Sequence, residues 1–318
     1  MSLRQVRSLL EPSLLQTPGV VGVGGTEEEL IVYVEGSPEI PEEIAGYPVK
    51  TIKAGHVVAL SLLEVPWMEP AKPLAAERTQ RHRPAPGGVS VGHYNITAGT
   101  LGGALIIGGT LYGLSNNHVL AASSTVQVAR ASIGDPILQP GPYDGGRLPD
   151  DVIGTLAGYV PMDEVRPNRS DAAIFKPSSP DLLSPDILDV GQIVGIGEAE
   201  VDMMVQKSGR TTGLTRAPVL DVNATMKVDY GAFTATFVDC IVTEYMAAGG
   251  DSGSWLLEEE RPNLVGLLFA GSNYITIHSK IRNVLNDLAA PAAVGAPPGL
   301  VGLYALPLGV TLISLLPP

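Results

Sequence analysis

The feature that most constrains this chain is the density of its turn residues. Thirty-seven glycines and 27 prolines in 318 residues cut the apolar sequence into runs of strand length. From about residue 88 these runs follow one another as "GALIIGGTLYGLS", "DVIGTLAGYVP", "DAAIFKP", "GQIVGIG", "MMVQKSG", "FTATFVDCIVTE" and "NLVGLLFAGS". Gly108-Gly109 inside the first is a hairpin signal, and "APVLDVNATMKVDYG" reads as a further strand pair. Short strands at this spacing leave no room for the crossover helices of a parallel α/β sheet, so the expected class is mainly β, a sandwich or barrel. One stretch breaks the pattern. "HSKIRNVLNDLAA" puts Ile281, Val284, Leu285 and Leu288 on one helical face, and His278 before them reads as a surface or capping residue.

Four regions follow from the shifts in character. Residues 1–65 read as a small α+β domain: "LRQVRSLLEPSLLQ" has helical spacing that Pro12 is expected to kink or end, and "GVVGVGG" and "ELIVYVEG" read as strands joined by an acidic turn. Residues 66–87 are a Pro- and Arg-rich linker, preferred as an uncleaved tether although Arg78 to Arg83 also suit processing. Residues 88–290 hold the β region. Residues 291–318 form a hydrophobic extension with no charged residue after Asp287. The stretch 299–316 is long enough to raise a membrane-spanning reading, but three glycines and Pro307 interrupt it and no Lys or Arg flanks it. A packed segment or a homo-oligomer contact is the preferred reading, with membrane association second.

Composition narrows the partners. Hydrophobic residues at 45% against 17% charged residues allow a sizeable core. A net charge of −13 opposes a phosphate backbone, so nucleic acid is not expected as a partner. The one cysteine, Cys240, rules out an intrachain disulfide, and in "TFVDCIVT" it reads as an inert buried thiol. Without a recognisable signal peptide at the start, the expected location is cytoplasmic. No ligand-spaced His/Cys cluster and no phosphate loop is visible, so neither a metal nor another cofactor is expected.

The stretch "AAGGDSGSWLL", Ala247 to Leu257, carries the chemistry. A serine nucleophile needs a base within hydrogen-bond reach, and histidine has the matching pKa. Of the five histidines, His82 lies in the linker, His56 in the N-terminal unit, and His93 reads as structural. His118, in "LSNNHVLA", follows an apolar run and would be held at the mouth of a barrel. An imidazole base also needs a buried acid to set its tautomer. Asp171, immediately before the strand "AAIF", is better placed for this than Asp150 and Asp151, which read as a solvated loop. Ser252 completes the set. The backbone N–H groups of Gly250 and Ser252 would face a developing oxyanion, and Ser254 reads as structural.

The ordered blocks "NNHVLA", "DAAI" and "GGDSGSW", together with "SGRTTGL", resemble the trypsin-like (chymotrypsin-fold) serine peptidases. The resemblance is to the bacterial streptogrisin and α-lytic group and to the plant narrow-leaf-type intracellular trypsin-like proteins. It spans roughly residues 88–290. It implies a double six-stranded β-barrel with the site between the barrels, accompanied here by the small N-terminal domain and the C-terminal helix. It further implies hydrolysis of protein or peptide substrates through an acyl-enzyme. His118 would be base then acid, Asp171 the orienting group and Ser252 the nucleophile. Phe269, Ala270 and Gly271 would border the specificity pocket, with Met246 near its base. An apolar or small side chain is expected there, although Glu244 lies close in sequence. Two alternatives stay open: a catalytically silent binding or assembly protein, and a protease restrained by its N-terminal domain.

Overall fold

The computed structural model describes residues 2–60, 76–290 and 293–295, and the backbone of 310–312. The chain is mainly β, as the turn density requires, with two large sheets, a two-stranded one and a late helix, Ile281–Ala289, among the described residues. In the larger sheet six strands close a ring. Met204–Gly209, Trp255–Glu258, Asn263–Gly271, Ile275–Lys280, Thr234–Glu244 and Gly213–Asp229 pair in that order, and the last pairs back onto the first. The second sheet runs from Gly103–Ile107 through Thr110–Ser115, Ala173–Pro177, Val152–Tyr159 and Pro136–Leu138 to Ser90–His93. It wraps its own core, in which Val91, Leu101, Ile137, Ile153, Leu156 and Phe175 are buried. Between the sheets Leu105, Ile107 and Ile174 meet Trp255, Leu264 and Leu267. Ile281, Val284, Leu285 and Leu288 of the helix close that seam, so the amphipathic face read from the sequence is the buried one.

Several local expectations differ from what is found. The expected strand pair in "APVLDVNATMKVDYG" is one 17-residue strand, Gly213–Asp229. Its pairing to Thr234–Glu244 shifts register at three places, and such bulges let one strand bend far enough to serve both the ring and its extension. "GQIVGIG" contributes only the short strand Gly195–Ile196, on the edge of Asn263–Gly271. His278 does not open the helix. It lies in Ile275–Lys280, fully buried beside Thr243 Oγ1 at 3.3 Å, because the helix begins three residues later. Pro12 does not end the first helix, which runs Leu3–Leu14. Placed in the last turn, it removes one backbone donor without ending the helix.

The N-terminal segment combines that helix with antiparallel strands Val20–Gly25 and Leu30–Val34, and Tyr47–Lys53 runs parallel to the second of these. It has a small core of Leu3, Val20, Val23, Leu30, Val32 and Val34. Val20–Gly25 also pairs with Gly213–Asp229, so the segment extends the large sheet. Its docking is reinforced by a buried contact in which Tyr33 Oη donates to Asp221 Oδ2 at 3.2 Å. Among the described residues of 66–87, Arg78 is buried. It donates to Gly88 O and Ser208 Oγ and pairs with Asp189, while Ala85–Gly87 pairs with Leu183–Ile187. Most of the tail lies outside the described residues. The backbone of Val310–Leu312 pairs antiparallel with Gly103–Ile107. Among the described residues no helix is long and apolar enough to cross a membrane.

Candidate active site

His118 sits in a single helical turn, Asn117–Leu120, that follows the strand Thr110–Ser115. Asp171 precedes the strand Ala173–Pro177, which pairs with Thr110–Ser115, so adjacent strands deliver the two side chains to one place. His118 Nδ1 lies 2.5 Å from Asp171 Oδ2, and the His118 backbone N–H donates to Oδ1 at 3.2 Å. Both side chains are buried. Asn116 Nδ2 donates to the Asp171 carbonyl at 2.7 Å and fixes the turn between them. Asp150 and Asp151 take no part in this cluster. Asp151 Oδ2 accepts from the Arg147 backbone, and the Asp151 carboxylate lies 3.5 Å from Arg81.

A third group joins the pair. Tyr230 Oη donates to Asp171 Oδ2 at 2.8 Å, and its ring lies edge-on to His118 at 5.9 Å. Burial, with the Asp171 carboxylate next, pushes the Tyr230 phenol well above its ordinary range, so it remains a proton donor. Nothing in the sequence around "VDYG" signals this contact, which spans 59 residues.

Ser252 lies in the connection between Thr234–Glu244 and Trp255–Glu258, on the larger sheet. Gly250 and Gly253 adopt φ of +95° and +96°. A Cβ on Gly253 would fall 2.1 Å from Ser115 Oγ, so the loop depends on glycine for both angle and space. The second sheet grips the loop directly: Thr100 N donates to Ser252 O at 2.7 Å, and Thr100 Oγ1 to Gly250 O at 2.8 Å. Gly99 is wedged there, since a Cβ on it would meet Val119 Cγ2 at 2.4 Å and Ser252 O at 3.0 Å. The His118 turn and the Ser252 loop therefore face each other across Gly99-Thr100. Ser252 Oγ donates to Phe269 O at 3.2 Å, not to His118. His118 Nε2 is buried without a hydrogen-bond partner among the described residues.

The centre of the loop is anchored by charge. Asp251 is fully buried and accepts from Thr211 N at 2.8 Å, Thr212 N at 3.1 Å, Thr212 Oγ1 at 2.6 Å and Ala248 N at 3.0 Å. Lys207 Nζ approaches the same carboxylate at 3.2 Å, and its side chain is equally buried. Burial alone would raise the Asp251 carboxyl, but Lys207 and these donors outweigh it and hold it below its ordinary range. The "SGRTTGL" block is thus the cradle of Asp251. Lys207, just before it, is the residue sequence reasoning passed over, although a lysine inside an apolar strand was a visible signal. Ser254 Oγ donates to Asp251 O at 2.6 Å and stiffens the same turn.

The expected pocket residues are placed unequally. Ala270 and Gly271 pair with Ala59 and Val58 of a short strand from the N-terminal segment. Phe269 offers its carbonyl to this region, while its ring packs on Phe237 at 4.6 Å. Met246 is buried with Val205, Ala217, Val219 and Leu256. Glu244 ends its strand in an exposed position. A cavity of about 400 Å³ lined by residues that include Glu198, Asp239, Lys280 and Arg282 shares no residue with this site. Among the described residues no group of three or more His, Cys, Asp or Glu is placed to share a metal ion.

No family model and no curated protein sequence matches the chain. Solved structures are similar to part of it. Thermobifida fusca protease A is 22% identical with a TM-score of 0.45, covering 63% of this chain and 93% of its own. Cellulomonas bogoriensis chymotrypsin is 20% identical with a TM-score of 0.44, over 63% and 93%. A Nocardiopsis protease is 18% identical with a TM-score of 0.44, over 63% and 94%.

Proposed function

We propose that the protein is a serine endopeptidase that cleaves peptide bonds through an acyl-enzyme. The observation that carries the reading is the buried His118–Asp171 contact at 2.5 Å, facing across Gly99-Thr100 a serine loop pinned by Asp251. Rotation of the Ser252 side chain takes its hydroxyl from Phe269 O to His118 Nε2. Ser252 Oγ then attacks the substrate carbonyl carbon while His118 takes the proton. Asp171, itself held by Tyr230, keeps Nδ1 protonated and balances the imidazolium. The Gly250 and Ser252 amides hold the oxyanion, a contribution of about 3 kcal/mol per donor. His118 returns the proton to the leaving amine, and water, deprotonated by the same imidazole, releases the acyl group as a carboxylate.

The Ser252 hydroxyl bonded to Phe269 O motivates a second reading, a catalytically silent binding protein of the same fold. A fluorophosphonate probe separates the two. Prolonged exposure should label wild type at Ser252 and leave Ser252→Ala unlabelled. Equal labelling of both refutes the peptidase reading.

A further inference from the structure

A peptide already lies across this site, and it belongs to the chain itself. Val58–Ala59 runs antiparallel to Asn263–Gly271, with Ala59 opposite Ala270 and Val58 opposite Gly271. The next residue, Leu60, donates its N–H to Phe269 O at 3.1 Å. Its carbonyl accepts from Gly250 N at 2.8 Å, the same N–H that the proposed mechanism gives to the oxyanion. Leu60 is 1% exposed, and its side chain clusters with Ala247 and Leu268. Its Cδ1 would lie 3.2 Å from a Cβ on Gly271, so the absence of a side chain there makes the room. Upstream, Asp229 N donates to Val57 O at 3.0 Å, and Lys53 sits over the Tyr274 ring at 4.6 Å. The segment is held along its length.

We infer that Val58–Leu60 is an internal occupant of the acyl-side half of the peptide cleft, and that it identifies the substrate class as extended peptides with a leucine-sized apolar side chain before the scissile bond. The inference rests on the peptidase reading above. Antiparallel main-chain pairing on a sheet edge recognises any extended peptide, and the pocket supplies the side-chain choice. Gly271 opens the pocket, while Ala247 and Leu268 make it apolar, so a charged side chain would lose its hydration there without a partner. An occupant on the same chain competes at an effective concentration of the order of millimolar, so an outside peptide meets a cleft that is mostly filled. Ser252 Oγ and Leu60 N–H share the Phe269 carbonyl, which ties occupancy to the disengaged hydroxyl.

The test compares full-length wild type with Leu60→Asp, which expels the strand by charge, and Leu60→Gly, which empties the pocket without charge. Fluorophosphonate labelling at Ser252 should be at least about 10-fold faster in both variants, given that effective concentration. The aldehyde acetyl-Val-Ala-Leu-al should inhibit Leu60→Gly at least about 10-fold more tightly than wild type for the same reason. It should also outcompete acetyl-Val-Ala-Asp-al. Melting curves identify a variant that has failed to fold, and the other variant then decides. Equal labelling rates in wild type and folded variants, with Ser252 labelled in all, overturn the occupant and leave the peptidase standing. No preference between the two aldehydes overturns the substrate class. Absence of labelling in every protein overturns the peptidase and this inference together.

Discussion

Replacing Lys207 with methionine asks whether an internal charge holds the Ser252 loop in shape. The lysine and Asp251 are both fully buried, with Nζ 3.2 Å from Oδ2. Methionine keeps most of the side-chain length but leaves a buried carboxylate without a counter-charge. Breaking a buried ion pair from one side costs about 3–5 kcal/mol. Asp251 retains donors from Ala248, Thr211 and Thr212, so the lower end of about 3 kcal/mol is expected. For a chain of this length that loss lowers the melting midpoint by about 5 °C. The pH dependence carries a sign that a packing defect would lack. In wild type the carboxyl is depressed, so its contribution is present above about pH 4 and lost as pH falls through the folded value. In Lys207→Met, burial is no longer opposed by the ammonium, the carboxyl rises, and the deficit against wild type shrinks on acidification. Urea unfolding at pH 7 and pH 4.5 measures both effects. Adding Asp251→Asn to Lys207→Met should recover most of the stability at pH 7, because the stranded charge is gone. A single variant within about 0.5 kcal/mol of wild type, or a deficit that grows toward low pH, would refute an electrostatic anchor.

Two further outcomes follow from the buried groups near the site. Tyr230→Phe removes one donor to Asp171, a net change of about 1 kcal/mol, so kcat/KM for a peptide should fall about 5-fold with KM unchanged. An unchanged kcat or a rise confined to KM would show that the phenol does not act through Asp171. His278 is held neutral by burial, with Lys207 adding repulsion, so its pKa is lowered to about 3. A histidine depressed in the folded state makes stability fall as pH drops from about 6.5 toward that value, by about 1.4 kcal/mol per pH unit. His278→Gln should flatten this slope between pH 6.5 and pH 4.5 in urea titrations, and parallel slopes would count against the reading.

What the sequence made legible was local. The strand-length runs, the face of Ile281 to Leu288 and the order of His118, Asp171 and Ser252 are each written in a few adjacent residues or in simple spacing. The mainly β class followed from turn density alone. What stayed hidden depends on contacts between distant segments. Tyr230 reaches Asp171 only because a 17-residue strand bends through three register shifts, and bulges leave no reliable mark in composition. Leu60 reads as one apolar residue among many in "HVVALSLL". Its meaning comes from Phe269 and Gly250, about 200 residues away, whose backbone groups carry no sequence signature. His278 was misplaced because the apolar periodicity of a helix cannot be distinguished from the end of the strand that feeds it.

The hydrogen bonds from Thr100 to Gly250 and Ser252 bear on how the chain is made. His118 and Asp171 leave the ribosome well before Ser252, so on the proposed peptidase reading a nascent chain would carry the base and the acid with nothing for them to activate. When the serine emerges, Asp251 can anchor its loop within the later sheet, but the bonds from Thr100 form only against the earlier one. On the peptidase reading proposed above, the site would be complete only once the two sheets have docked. Separating the sheets would then part Ser252 from His118 and Asp171 even where each sheet keeps its own fold.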